Sequence, residues 1–156
     1  MKQTIELSIN QQAYTIDIEP HITLLDMLRN ELELLGTKRG CEKGDCGTCT
    51  VLVNGKPVNA CLYLAVRANG KEILTVEGLE TDAGLHPLQK GFLEKGAVQC
   101  GFCTPGMVMS AVDLANNMKN LDEATIREQL DGNICRCTGY HNIVKSIKDG
   151  AGRMGG

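Results

Sequence analysis

The chain has 156 residues, enough for one compact domain or two small ones. Its net charge of −3, with basic residues scattered along the sequence, leaves no electrostatic footprint for nucleic acid, and no apolar run approaches the length of a membrane-spanning helix. The unusual resource is sulfur: eight cysteines stand against no tryptophan, two phenylalanines and three tyrosines.

The amino end, MKQTIELSINQ, carries no basic region followed by an apolar run, no twin arginine and no small-residue cleavage site. Export is not expected, and a cytoplasmic location is. Thiols stay reduced there, and clustered cysteines more often hold metals or do redox chemistry than form structural disulfides.

In chain order, Ile5, Leu7 and Ile9 alternate with polar residues, and after Asn10-Gln11-Gln12 the alternation resumes at Tyr14, Ile16 and Ile18, which predicts a hairpin. Leu24, Leu25, Leu28 and Leu32 repeat at helical spacing, with Thr23 and Asp26 placed as an N-cap and its N3 acid. Segments 50–53 and 56–60 flank Asn54-Gly55, a pair suited to a type I′ turn, and so predict a second hairpin. Segment 73–76 supplies a closing strand. Together these predict a small mixed sheet crossed by one helix, of the β-grasp kind.

After Glu77-Gly78 the spacing becomes helical, and Thr81-Asp82-Ala83-Gly84 reads as a linker. Helices are predicted over 87–95, 105–117, 123–130 and 140–148, with Pro87 and Pro105 in first turns and Asp122 as a cap. The glycine-bearing end, GAGRMGG, reads as frayed or as a surface tail. The fold class expected is α+β: residues 1–77 as one domain and 78–156 as a helical second.

Cys41, Cys46, Cys49 and Cys61 lie in "RGCEKGDCGTCTVLVNGKPVNACL", a C-x4-C-x2-C run with a fourth cysteine beyond a hairpin. That is the spacing of plant-type [2Fe-2S] ferredoxins. Gly40, Gly44, Gly47 and Thr48 keep bulk away while the loop wraps a cluster and aims N–H groups at its sulfurs. Four thiolates also satisfy zinc, but zinc sites usually pair two short knuckles rather than drawing three ligands from one glycine-rich loop.

The remaining cysteines are Cys100 and Cys103 in "QCGFCTPG" and Cys135 and Cys137 in "GNICRCTGY". Each pair precedes a predicted helix, where unpaired N–H groups and the positive dipole end favour the charge of thiolates and sulfides. By spacing alone, zinc and an iron–sulfur cluster fit this set equally.

Taken together, "GCEKGDCGTCTVLVNG", "QCGFCTPGM" and "GNICRCTGY" closely resemble the iron–sulfur subunit of the molybdenum hydroxylases, the family of xanthine dehydrogenase, aldehyde oxidoreductase and aerobic carbon monoxide dehydrogenase. The resemblance covers nearly the whole chain and departs at no ligand position. It implies a plant-type ferredoxin-like β-grasp domain followed by a four-helix-bundle domain, each with one [2Fe-2S] cluster held by its own set of four cysteines. It also implies a large molybdopterin-binding catalytic subunit and a medium FAD-binding subunit as partners, in a dimer of heterotrimers. Electrons would pass from molybdenum through the Cys100, Cys103, Cys135, Cys137 cluster and then the Cys41, Cys46, Cys49, Cys61 cluster to FAD. By the same resemblance, Gln99 hydrogen-bonds the pterin and the sulfur of Cys137 approaches it. The chain itself is then a non-catalytic subunit of an oxidoreductase. A free-standing two-cluster ferredoxin and a zinc-binding scaffold are the alternatives.

His21, His86 and His141 are not needed as ligands beside eight thiols, and His86 and His141 read as helix-start or surface residues. Arg136, between two ligands, is equally a tuning charge or a surface or interface residue. Met107 and Met109 read as core or interface packing, and Asp45 as loop surface.

Overall fold

A computed structural model describes residues 1–155. β1 (Gln3–Ile9) and β2 (Gln12–Ile18) pair antiparallel, with Ile5 opposite Ile16 and Leu7 opposite Tyr14. The turn is tight: Asn10 and Gln11 both take left-handed angles (φ 51° and 68°), as a two-residue I′ turn requires. The alternation puts Ile5, Leu7 and Ile9 in the core.

Thr23 caps α1 (Leu24–Asp26) by the predicted capping box: its hydroxyl accepts from Asp26 N–H at 3.1 Å, and the Asp26 carboxylate accepts from Thr23 N–H at 3.2 Å. The helix then widens into a π-helical turn over Met27–Glu31, so that Leu24, Leu25, Met27 and Leu28 are all buried while Leu32 packs at the margin. β3 (Thr50–Val53) and β4 (Lys56–Asn59) form the second hairpin through left-handed Asn54 and Gly55.

β5 (Glu72–Leu74) is shorter than its expected span, because the chain turns into a 3-10 helix at Val76–Leu79. It enters the middle of the sheet, whose order is β2-β1-β5-β3-β4, parallel to β1 and antiparallel to β3. Both faces of the sheet are covered. Val51 and Val53 belong to the core beneath α1, whereas Leu52 belongs to a second core formed with the helices that follow. Thr50–Val53 is therefore buried at every position, the burial expected of a two-sided strand.

Four helices follow: α2 (Pro87–Glu94), α3 (Thr104–Asn117), α4 (Glu123–Gln129) and α5 (His141–Met154). His86 caps α2, its Nδ1 accepting from Leu88 N–H at 3.2 Å while Gln89 Oε1 accepts from His86 N–H at 2.9 Å. Asp122 caps α4, accepting from Thr125 N–H at 2.8 Å. Phe92, Met107, Met109, Ile126, Ile143 and Ile147 are among the residues of this second core.

The glycine-bearing end, from Gly150, is not frayed in its described part, although Gly152, Arg153 and Gly155 are exposed as a surface tail would be. α5 continues to Met154, and only Gly156 lies outside the described residues. Two glycines serve packing here: a Cβ on Gly150 of α5 would lie 2.8 Å from Leu88 Cα, and one on Gly91 of α2 would lie 2.7 Å from Ser146 O. Close contact between α2 and α5 offsets the roughly 1 kcal/mol that a helical glycine costs. Arg153 adds ion pairs to Glu94 and Asp149. The architecture is α+β, a mixed sheet followed by helices.

Candidate metal centres

Cys41, Cys46 and Cys49 occupy the loop between α1 and β3, and the β3–β4 hairpin returns the chain beside Cys49, with Ala60 N–H bonded to Cys49 O at 3.2 Å. The hairpin thereby carries Cys61 to the same place. Tight loop geometry is forced by left-handed residues at Glu42, Gly44 and Gly47, and a Cβ on Gly40 would lie 2.7 Å from Cys46 Sγ. N–H groups of Asp45, Cys46 and Lys43 point at Cys41 Sγ at 3.2, 3.3 and 3.5 Å. The Lys43 and Cys46 amides outweigh burial and bring the Cys41 thiol down to about 6. Deeper in, Cys49 and Cys61 are buried, and burial pushes Cys49 up to about 12.

The second set is assembled from two loops. Cys103 is the residue before α3, and Cys135 and Cys137 lie in the turn that ends at Tyr140, the residue before α5. Cys103 and Cys135 are half-buried, while Cys100 and Cys137 are exposed. Burial, with the Cys135 thiol beside it, pushes Cys103 up to about 12. Burial works to raise Cys135 too, but the Thr138 hydroxyl, donating to its Sγ at 3.1 Å, and neighbouring groups hold it below the usual thiol value. Contact with Cys100 raises Cys137.

The thiols meet in pairs: Cys41 with Cys46, Cys49 with Cys61, Cys103 with Cys135, and Cys137 with Cys100. Among the described residues, no three Cys, His, Asp or Glu side chains gather as one metal ion would need. Two such thiol pairs at each place are the donor set that a two-iron cluster would need. The residues present fit [2Fe-2S] groups.

The two places adjoin. Ile134 N–H donates to Cys46 O at 2.9 Å, Asn133 Nδ2 to Gly47 O at 3.1 Å, and Thr48 Oγ1 to Phe102 O at 2.7 Å. The approach leaves no room for side chains at Gly106, where a Cβ would lie 2.2 Å from Gly47 O, or at Gly47, where one would lie 2.2 Å from Gly132 O. Cys41 and Cys46 of the first set and all four cysteines of the second open onto one cleft, rimmed by exposed Phe102 and Ile134.

Of the other residues read from sequence, Gln99 is exposed beside Cys100, and Arg136 is exposed on that cleft. His21 and His141 are exposed, and His86 caps α2 with its imidazole held below its usual value by burial. Met107 and Met109 are core, and Asp45 is an exposed partner of Lys43. The sequence reading missed Asn133, Thr138, Tyr140 and Arg39. Asn133 and Tyr140 flank the second pair in "GNICRCTGY", and their nearness to the cysteines was the one local signal. Arg39, which pairs with Asp26 of α1 and with Glu42 inside the first loop, carries no local signal.

A family model described as a 2Fe-2S iron-sulfur cluster binding domain matches residues 7–75, and one described as a [2Fe-2S] binding domain matches residues 75–148. The chain is 47% identical to the 6-hydroxypseudooxynicotine dehydrogenase complex subunit beta of Paenarthrobacter nicotinovorans, covering 93% of this chain and 91% of that one. It is 45% identical to the xanthine dehydrogenase iron-sulfur-binding subunit of Escherichia coli O157:H7, covering 94% and 92%. The solved quinoline 2-oxidoreductase of Pseudomonas putida 86 contains a chain that superposes with a TM-score of 0.90 at 44% identity, over 96% of this chain and 93% of that one. Two matched [2Fe-2S] domains and full-length relatives place this chain in the family of iron–sulfur subunits of the xanthine dehydrogenase type.

Proposed function

We propose that this chain is the electron-transfer subunit of a molybdopterin- and FAD-containing hydroxylase or dehydrogenase complex. Cys41, Cys46, Cys49 and Cys61 hold one [2Fe-2S] cluster in a β-grasp domain, residues 1–77. Cys100, Cys103, Cys135 and Cys137 hold the other in a four-helix-bundle domain, residues 78–156. Two core clusters, the second of which also takes in Leu52 of β3, and family models that meet at residue 75 support this division. The observation that carries the reading is the hydrogen-bonded contact between the ligand loops, from Ile134 N–H to Cys46 O, since a relay needs its two sites side by side.

When bound, each cluster would accept and release one electron. The chain's own residues prepare for that charge. N–H groups of Lys43, Asp45 and Cys46 stabilise negative charge on the first site, and the Thr138 hydroxyl does so on the second. Phe102 and Ile134, about half exposed at 49% and 52%, present apolar surface around the second site. Such a rim suits burial against a partner better than a free-standing ferredoxin. Gln99, exposed next to Cys100, and Cys137, exposed and in contact with Cys100, take the pterin-facing role in this reading.

The partners proposed are a large molybdopterin-binding subunit and a medium FAD-binding subunit, in a cytoplasmic dimer of heterotrimers. Among the described residues no helix is long and apolar enough to cross a membrane. Metal and sulfide analysis of the purified protein tests the reading. About four irons and four sulfides per chain are expected, with both partners retained on purification. Zinc without visible absorbance would contradict it.

A further inference from the structure

Tyr140 has a backbone conformation that bulky residues rarely adopt, with φ 70° and ψ −14°. It follows Gly139 at φ 61°, so two successive left-handed residues reverse the chain before α5 begins. Glycine would make this turn without strain. The tyrosine brings something that glycine lacks: the reversal folds its hydroxyl back over its own loop, where it accepts from Cys135 N–H at 2.9 Å and donates to Asn133 O at 2.9 Å.

Both partners matter. Cys135 is a ligand of the second centre as proposed above. Asn133 is buried, with its Nδ2 on Gly47 O of the first ligand loop and its Oδ1 accepting from the Ser110 hydroxyl at 2.8 Å. Between them, Ile134 N–H is bonded to Cys46 O. The phenol therefore closes a short ring over segment 133–135, the same segment that is pinned to the first loop at two points. With the hydroxyl removed, Cys135 N–H would lose its acceptor beside the Cys135 thiol and Asn133 O would lose its donor. Both changes act on the second centre and on its spacing from the first.

We propose that Tyr140 is a positioning residue: through its hydroxyl it fixes Cys135 relative to the first ligand loop, and so sets the electronic environment of the second cluster and the distance between the two. This rests on the ligand assignment above. The test compares Tyr140→Phe and Tyr140→Gly with the parent in the assembled holo complex. The readouts are iron content, EPR-monitored reductive titration and the rate of iron release to a ferrous chelator.

Tyr140→Phe is expected to assemble and keep the first cluster's midpoint potential and release rate. Its second cluster should shift in g-values and potential, show a weaker magnetic interaction with the first when both are reduced, and release iron several-fold faster. Outright loss of the second cluster alone would be the extreme form of the same result. Tyr140→Gly, which relieves the turn but removes the phenol, should change in the same sense. A Tyr140→Phe protein indistinguishable from the parent would overturn the inference, even with Tyr140→Gly impaired, because ring packing would then be the role. Loss of both clusters in Tyr140→Phe would overturn it as well, as a folding effect. A parent that holds only the first cluster would overturn the ligand assignment, and the inference with it.

Discussion

On the proposed ligand assignment, the two cysteine sites meet one coordination problem in different ways. The first takes three thiols from a single glycine-rich loop and a fourth from a hairpin return, and it is preorganised by backbone N–H groups. The second takes two thiols from each of two loops brought together by α3 and α5, and it is held by side chains, the Thr138 and Tyr140 hydroxyls among them. The first has two buried thiols, the second none. A site made within one loop depends on local geometry, whereas a site made between helices depends on the tertiary packing that brings its halves together.

Cys137→Ser should remove the second cluster and leave the first, halving the iron from about four per chain to about two. Iron analysis beside the visible spectrum reads this out, and equal loss of both clusters would contradict the two-site assignment. Next is the contact between the sites. Gly106→Ala would drive a Cβ to within 2.2 Å of Gly47 O in the first loop, with Thr48 Cα at 2.9 Å, so a destabilisation of about 3 kcal/mol is expected. Urea unfolding followed by far-UV circular dichroism measures it, and a change within 0.5 kcal/mol, as expected of an indifferent surface site, would show that the approach is not tight.

Thr48→Val removes the hydroxyl that donates to Phe102 O across the same contact and should cost about 1 kcal/mol. It should speed iron loss from the second site more than from the first. The smallest effects belong to the scaffold of the first site alone. Thr23→Ala should cost about 1 kcal/mol through loss of the cap on α1, with no change at the second centre. Its partner Asp26 carries a pH signature. Burial works to raise the Asp26 carboxyl, but hydrogen bonds from Arg39 and Thr23 prevail and hold it below the usual value. Its contribution is thus fully present above the unfolded carboxylate value of about 3.9 and is lost as pH falls through the lower folded value. Asp26→Asn should flatten the fall in thermal stability over that acid window, and an unchanged slope would remove the ion pair from the account.

The same contrast explains how much was legible in sequence. Periodicity and cap residues revealed both hairpins, the Thr23 capping box and three helix starts, marked by Pro87, Pro105 and Asp122, because each is encoded within a few residues. The C-x4-C-x2-C run is local in the same sense, and its loop was readable on spacing. The second cysteine set was ambiguous on spacing because its geometry depends on α3 and α5 meeting, which no short segment encodes. The glycines of α5 misled the reading for a related reason: Gly150 reads as a breaker until Leu88 of α2 is placed against it. Asn133 and Tyr140 were passed over because their partners, Gly47 and the carbonyl of Asn133 itself, become neighbours only in the folded chain.

The central claim is that two [2Fe-2S] sites of different construction lie side by side through their ligand loops. EPR of the fully reduced protein tests it most directly. The account predicts two distinct signals that integrate to about two spins per chain, with mutual broadening that disappears from the first signal in Cys137→Ser. A single signal, or two signals with no mutual broadening, would contradict it.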